Sequence, residues 1–265
     1  MSFLRPKIDL FSSFSGGLEP LYMERIFDSL LTLQGVKDVV RMGAKNRLEH
    51  YLDYLQKKTS YGTREEYMMI QFYKGHVYQK LAAHTASQVD AWHFREKSLC
   101  TYQSYFELEG LFQESKFYAH WQIGLLLDIL NYPWLLAEES LLLASATDPS
   151  RGESLKMLTA HYCHEHQWNR AHVYSLLAPK KLFAQSPAAW RTWFVDFDAY
   201  NWKVLHTHLR ISYKLGYMQD GKEVYYRILS HTGKQPEKFN ELNIRRLHSL
   251  EKLFFLSNPK LASAS

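Results

Sequence analysis

The sequence predicts an all-α fold: a solenoid of about four to five stacked antiparallel helix pairs behind a helical N-terminal cap. Three observations predict it. The first is proline placement. No proline occurs between Pro20 and Pro133, and Pro133, Pro149, Pro179, Pro187, Pro236 and Pro259 each fall in a stretch that reads as a connection. A chain that keeps proline out of long segments uses those segments as helices. The second is periodicity: Met68, Phe72, Gly75, Val77 and Leu81 recur at short helical steps, as do Phe117, Trp121, Gly124, Leu125 and Ile129. The third is the scarcity of strand signals. Alternating β-branched runs are almost absent, and the one Asp-Gly pair, Asp220-Gly221, lies inside a helical pattern.

Taken in order, residues 1–64 read as a cap or extension. Ser12 to Gly17 is a Ser/Gly stretch, and Leu21–Leu33 and Lys45–Lys58 are amphipathic, suited to covering an otherwise bare apolar face. Residues 65–255 read as the repeat domain. Its first pair runs through Phe72–Tyr78 and then Asp90–Phe94. The second runs through Tyr118–Gly124, joins at Pro133-Trp134 and ends at Asp148-Pro149. A third has Leu155, Leu158 and Tyr162, then Gln167–Ala171, and a fourth has Leu205, Ile211, Tyr213 and Gly216, then Tyr225–Leu229. Residues 256–265 read as a flexible tail. Within a pair, a small residue in the first helix (Gly75, Gly124) admits the second helix, and an alanine of the second (Ala91, Ala171) marks the crossing. Tyr78 is expected to fill the gap between neighbouring pairs. No pair can bury its apolar stripe alone, so pairs stack and share a core.

Composition agrees with a globular chain. Of 265 residues 46% are hydrophobic and 22% charged, and the 15% aromatic share suits interlocked helices or a sticky groove. Cys100 and Cys163 do not make a disulfide framework. Together with an N-terminus lacking an apolar signal-like run, they lead us to expect a reducing, cytoplasmic setting. The greasiest stretch, Ile123 to Ala146, is interrupted by Asp128, Asn131, Pro133 and Glu138-Glu139, so no membrane span is expected. The net charge is +5, and from Asn201 onward 11 Lys or Arg stand against 5 Asp or Glu, an excess of +6.

Several stretches share one pattern: Phe72-Tyr73 with Tyr78 and Leu81; Tyr118 with Gln122-Ile123-Gly124; Pro133-Trp134; Asp148-Pro149-Ser150-Arg151 with Glu153 and Leu155; Tyr162; Trp168 and Ala171; Asp198-Ala199-Tyr200-Asn201-Trp202; and Leu205 with Tyr213 and Gly216. In this order, residues from about 65 to 255 resemble the tetratricopeptide-like region that follows a family 2 glycosyltransferase domain in a group of bacterial and viral proteins. The resemblance implies a stacked-hairpin architecture and a link to glycan synthesis. It brings no catalytic residue, because the first 64 residues are too few for a nucleotide-sugar-binding fold. The first pair departs from the pattern through an insertion, His84 to Gln88, and through Arg95 where an aromatic is usual.

Reactive motifs each have a plainer structural reading. Asp196-Phe197-Asp198 has the Asp-x-Asp form that holds a metal and a diphosphate, but it follows no parallel strand, and helix capping or turn chemistry suits it better. His161, Cys163, His164 and His166 are rich in ligand atoms but lack zinc spacing; no metal or other cofactor is expected. Ser154 and Ser175 lack a nucleophile-elbow frame, and Ser15-Gly16-Gly17 lacks the lysine of a phosphate loop. Arg210, Lys214, Lys222, Arg227, Arg245 and Arg246 with Tyr213, Tyr217, Tyr225 and Tyr226 mix charge and rings as a single-strand nucleic-acid binder does, or else are solvated charges beside core tyrosines.

The repeat register places Phe72, His76, Gln79, Trp121, Asp128, Lys156 and His164 on a concave face. Phe72 and Trp121 are either anchors for a peptide or helix, or packing between helices. The expected function is therefore a non-catalytic scaffold for protein–protein interaction, with a protein or peptide partner, and an accessory to, or detached relative of, a glycosyltransferase. The alternatives are a nucleic-acid binder using the basic C-terminal quarter, or an enzyme whose site the sequence hides.

Overall fold

A computed structural model describes residues 43–58, 64–108, 110–111, 113–182 and 202–232, and nine α-helices account for most of them. They are α1 (Ala44–Lys58), α2 (Arg64–His84), α3 (Gln88–Tyr105), α4 (Gln113–Ile129), α5 (Trp134–Thr147), α6 (Glu153–His164), α7 (Trp168–Leu182), α8 (Trp202–Leu215) and α9 (Met218–Thr232). No strand occurs among the described residues. The all-α expectation holds, with four helix pairs (α2/α3, α4/α5, α6/α7, α8/α9) following α1. The Asp-x-Asp segment, Leu21–Leu33, Arg245, Arg246 and the tail lie outside the described residues. The chain divides into two compact units, Met1–Asp148 with Ser186–Val195, and Pro149–Gln185 with Asp196–Ser265.

In the first unit each helix packs on its neighbours in sequence, from α1 through α5. α1 lays Tyr51 and Leu55 into the core formed with α2. Both first helices approach their partners through glycine. A Cβ added at Gly75 would lie 2.8 Å from the Tyr102 ring of α3, and one at Gly124 would lie 2.7 Å from Leu141 and 3.1 Å from the Ala137 carbonyl of α5. At the first crossing the Ser98 hydroxyl donates to the Gly75 carbonyl at 2.7 Å, using the same close approach. The two pairs are then joined by aromatics: Phe72 packs its ring against Tyr102, Tyr105 and Tyr118, with the Tyr118 centroid at 5.4 Å. Tyr105 and Ser115 share a buried hydrogen bond of 2.7 Å between α3 and α4. Tyr78 differs from expectation: its ring stacks on Phe94 of its own pair, with the Lys97 ammonium above it.

The second unit packs α6 on α7, α7 on α8 and α8 on α9. Tyr162, Ala171 and Ile211 form a fully buried group there, so Ala171 sits at a crossing as its size predicts. Pro179 is a correction. It lies inside the last turn of α7 and not in a connection. A proline so late in a helix removes one backbone bond.

Three first helices end alike. Asn131, His166 and Gly216 take left-handed backbone, with φ of 57°, 56° and 72°. In each case the following N–H bonds back five residues, Tyr132 to Leu127, Gln167 to Tyr162 and Tyr217 to Ser212, at 2.8 to 2.9 Å. This is the Schellman ending, which satisfies the last carbonyls and turns the chain at once into the next helix. The first pair is the exception. It enters α3 through Ser87, whose hydroxyl accepts from the Asp90 N–H at 3.2 Å. That is the site of the insertion seen in the sequence.

Alanine at Gly75 or Gly124 should push the paired helices apart and cost about 1–3 kcal/mol. Gly124→Ala should be the worse of the two, because one atom it meets is backbone and cannot rotate away. Urea midpoints of the two variants check this; a wild-type midpoint for Gly124→Ala would contradict it.

Candidate functional site

Four of the seven face residues come together on α2 and α4 of the first unit. Tyr118 bridges them: its hydroxyl hydrogen-bonds His76 Nδ1 at 3.0 Å, and its ring meets Phe72 and, edge-on at 5.6 Å, Trp121. One turn along, the Gln79 amide donates to the Gln122 carbonyl. The surface is built from paired polar contacts between two first helices, the arrangement that consecutive stacking produces. Phe72 has no exposed surface, so it holds this face from below and cannot itself meet a partner. Trp121 is partly buried and keeps an edge in solvent.

The other three lie elsewhere. Asp128 is exposed at the C-terminal end of α4. Lys156 and His164 belong to α6 of the second unit, where His164 is exposed and its Nδ1 lies 3.2 Å from the Glu165 carboxylate. Among the described residues no group of three or more His, Cys, Asp and Glu is placed to hold a metal ion. Burial, with Lys80 adding to it, lowers the His76 pKa to about 3. Burial and then Lys116 lower that of His120 to about 4. Both imidazoles are thus neutral near neutral pH.

No protein-family model matches this chain, and no curated protein matches it.

The second unit contains a polar core that sequence reasoning missed as a site. Arg151 and Glu153 form an ion pair at 2.7 Å with exposures of 2% and 0%, a cost accepted only when both charges are matched. The pair sits at the start of α6, where the carboxylate also faces the positive end of the helix dipole. The Asp-Pro-Ser-Arg turn with Glu153 was the signal in the sequence. Further along, Ser175 and His208 approach at 2.6 Å, both buried. This pair has the composition of a nucleophile and its base. The Ser175 oxygen lies 2.9 Å from the His172 carbonyl and 2.6 Å from His208 Nδ1, and the imidazole tautomer decides which of them accepts its single proton. His172 stacks on His208 at 5.2 Å and reaches the Asp220 carboxylate at 3.5 Å. Burial pushes the Cys163 thiol up, with Arg210 partly opposing.

A third feature was legible only in part. α5 is apolar on both sides. Ala137, Leu141 and Ala144 are buried against α4, while Leu135, Leu136, Leu142 and Leu143 are exposed, Leu135 at 73%. Helical geometry puts those four leucines within about a third of the circumference, with Glu139 in the middle of the arc. A helix greasy all round is normally buried, so this face calls for an explanation. The signal in the sequence was the long apolar run, read there only as too interrupted for a membrane. No helix among the described residues is long and apolar enough to cross one.

Two outcomes test these assignments. Glu153→Gln leaves Arg151 buried against a neutral side chain and should cost about 3–5 kcal/mol, whereas changing both residues, Arg151→Met with Glu153→Leu, should cost less than either single change. Chemical denaturation of the three variants reads this. His76 has a folded pKa below its unfolded value, so its contribution is complete above about pH 6.5 and is lost as pH falls toward 3. At pH 4.5 the loss should be on the order of 2 kcal/mol, and His76→Gln should flatten the melting profile between pH 6.5 and 4.5. An unchanged slope in that variant would contradict the assignment.

Proposed function

We propose that this chain is a non-catalytic helical-hairpin module that holds another protein. The observation that carries the reading is the outer face of α5, where four leucines remain exposed on a helix whose opposite side is already buried. Monomeric proteins seldom leave such a stripe uncovered without a use for it. In the second unit Val173, Leu176 and Leu177 follow the same helical spacing on α7 and are also exposed. The α2/α4 face adds the open edge of Trp121. The resemblance to the helical region accompanying family 2 glycosyltransferases supports a sugar transferase as the partner class. A cytoplasmic scaffold is the corresponding setting.

The alternative, nucleic-acid binding, is favoured by Arg210, Lys214, Tyr217 and Tyr226, all exposed on α8, on α9 or in the turn between them. Tyr225 is buried and drops out of that set. The phosphate-contact term would make such binding fall steeply with salt.

The test is affinity purification from the native source with the wild-type chain and with Leu135→Ser/Leu142→Ser, followed by mass spectrometry. A protein partner held by the wild type and lost by the variant is the expected result. A sugar transferase among the partners lost would support the glycan link; recovery of RNA and its proteins by both chains would favour the alternative.

A further inference from the structure

We infer that the occupant of the α5 face is an amphipathic, basic protein segment, a helix carrying leucine-like residues on one side and Lys or Arg beside them. This rests on the reading of that face as a docking surface and adds the chemistry of what docks. The observation is a local reversal of charge. The whole chain carries +5, yet from Phe117 to Ser150 there is no Lys or Arg, and Asp128, Glu138, Glu139 and Asp148 give a local charge of −4. This stretch comprises most of α4, all of α5 and the turn between them.

The position of the acids decides the partner. Glu139 is exposed in the centre of the leucine arc, and Asp128 is exposed at the end of α4, beside exposed Ile129 and Tyr132. An uncharged helix laid over Leu135, Leu136, Leu142 and Leu143 would cover Glu139 and strip water from a carboxylate without replacing its hydrogen bonds. A second copy of this face would bring acid against acid. An anionic lipid surface would be repelled. A Lys or Arg avoids each penalty: its aliphatic stem lies on the leucines while its charged end reaches Glu139. The remaining acids would speed encounter with such a segment and reject acidic ones.

The experiment uses the full chain and two fluorescent 14-residue helical peptides of identical spacing, one of Leu and Lys and one of Leu and Glu, read by fluorescence anisotropy. The Leu/Lys peptide should bind at least tenfold more tightly than the Leu/Glu peptide, and more weakly as salt rises. Glu139→Lys should shift the preference at least tenfold toward the Leu/Glu peptide. Leu135→Ser/Leu142→Ser, on exposed positions, should abolish binding of both while leaving the thermal melt unchanged. If both peptides bind equally and the serine variant loses both, the charge inference is overturned and the docking face survives. Should the serine variant bind like the wild type, both fail. Two further results overturn the basic occupant: wild-type dimerisation by sedimentation that the serine variant lacks, which would assign the face to a second copy, and cosedimentation with phosphatidylserine vesicles that it lacks, which would assign it to lipid.

Discussion

Two missing side chains govern the first unit. α2 meets α3 at Gly75, and α4 meets α5 at Gly124, at separations that no Cβ could share with the Tyr102 ring or the Leu141 side chain. Everything above that contact inherits its geometry. Because α3 comes in close, Ser98 can reach the Gly75 carbonyl and Tyr102 lies against Phe72. Because α5 comes in close, its inner side is Ala137, Ala144 and the Leu141 side chain that meets Gly124. Leu135, Leu136, Leu142 and Leu143 lie on the opposite side by helical phase and stay exposed.

The two units solve the same packing problem with different chemistry. The first fills its interior with rings, joining one pair to the next through Phe72, Tyr105 and Tyr118. The second buries an ion pair, Arg151 with Glu153, and the hydroxyl–imidazole contact between Ser175 and His208. Aromatic packing is tolerant of direction, while buried charges and hydrogen bonds are satisfied only at one register. The first unit adds such contacts to its rings, Ser98 with Gly75 and Tyr105 with Ser115, while in the second the Ser175–His208 contact joins α7 to α8 and the ion pair stays at the start of α6. The repeated Schellman ending at Asn131, His166 and Gly216 is common ground across both: a left-handed residue closes the first helix and launches the second within one or two residues.

A functional face in such a protein has to be surface the fold leaves over. The α2/α4 face is largely consumed by its own construction, since His76 is tied to Tyr118, Gln79 to Gln122, and Phe72 is sealed beneath. The outer side of α5 is different in kind. It contributes nothing to the packing of its own pair, and its exposed carboxylate, Glu139, sits at the centre of apolar surface. An apolar face with a charge at its centre discriminates among partners more sharply than a uniformly greasy one, because the wrong partner must desolvate the charge without replacing its hydrogen bonds.

The sequence by itself determined the elements and their pairing. Helical period, proline placement and the small residues Gly75, Gly124 and Ala171 are local properties, and they carry the same consequence wherever the helix packs. Proline was the exception at Pro179, which lies inside the last turn of α7, where its missing N–H removes one backbone bond. What only the tertiary structure decided is which side of each helix stays in water. That depends on the neighbour's shape. Phe72 and Trp121 occupy similar places in a one-dimensional register, yet one is sealed under Tyr102, Tyr105 and Tyr118 while the other keeps an open edge. The four outer leucines of α5 belong to a run that in the sequence reads only as too interrupted to span a membrane, and it takes the packing of α5 on α4 through Ala137 and Leu141 to show that they stand in solvent.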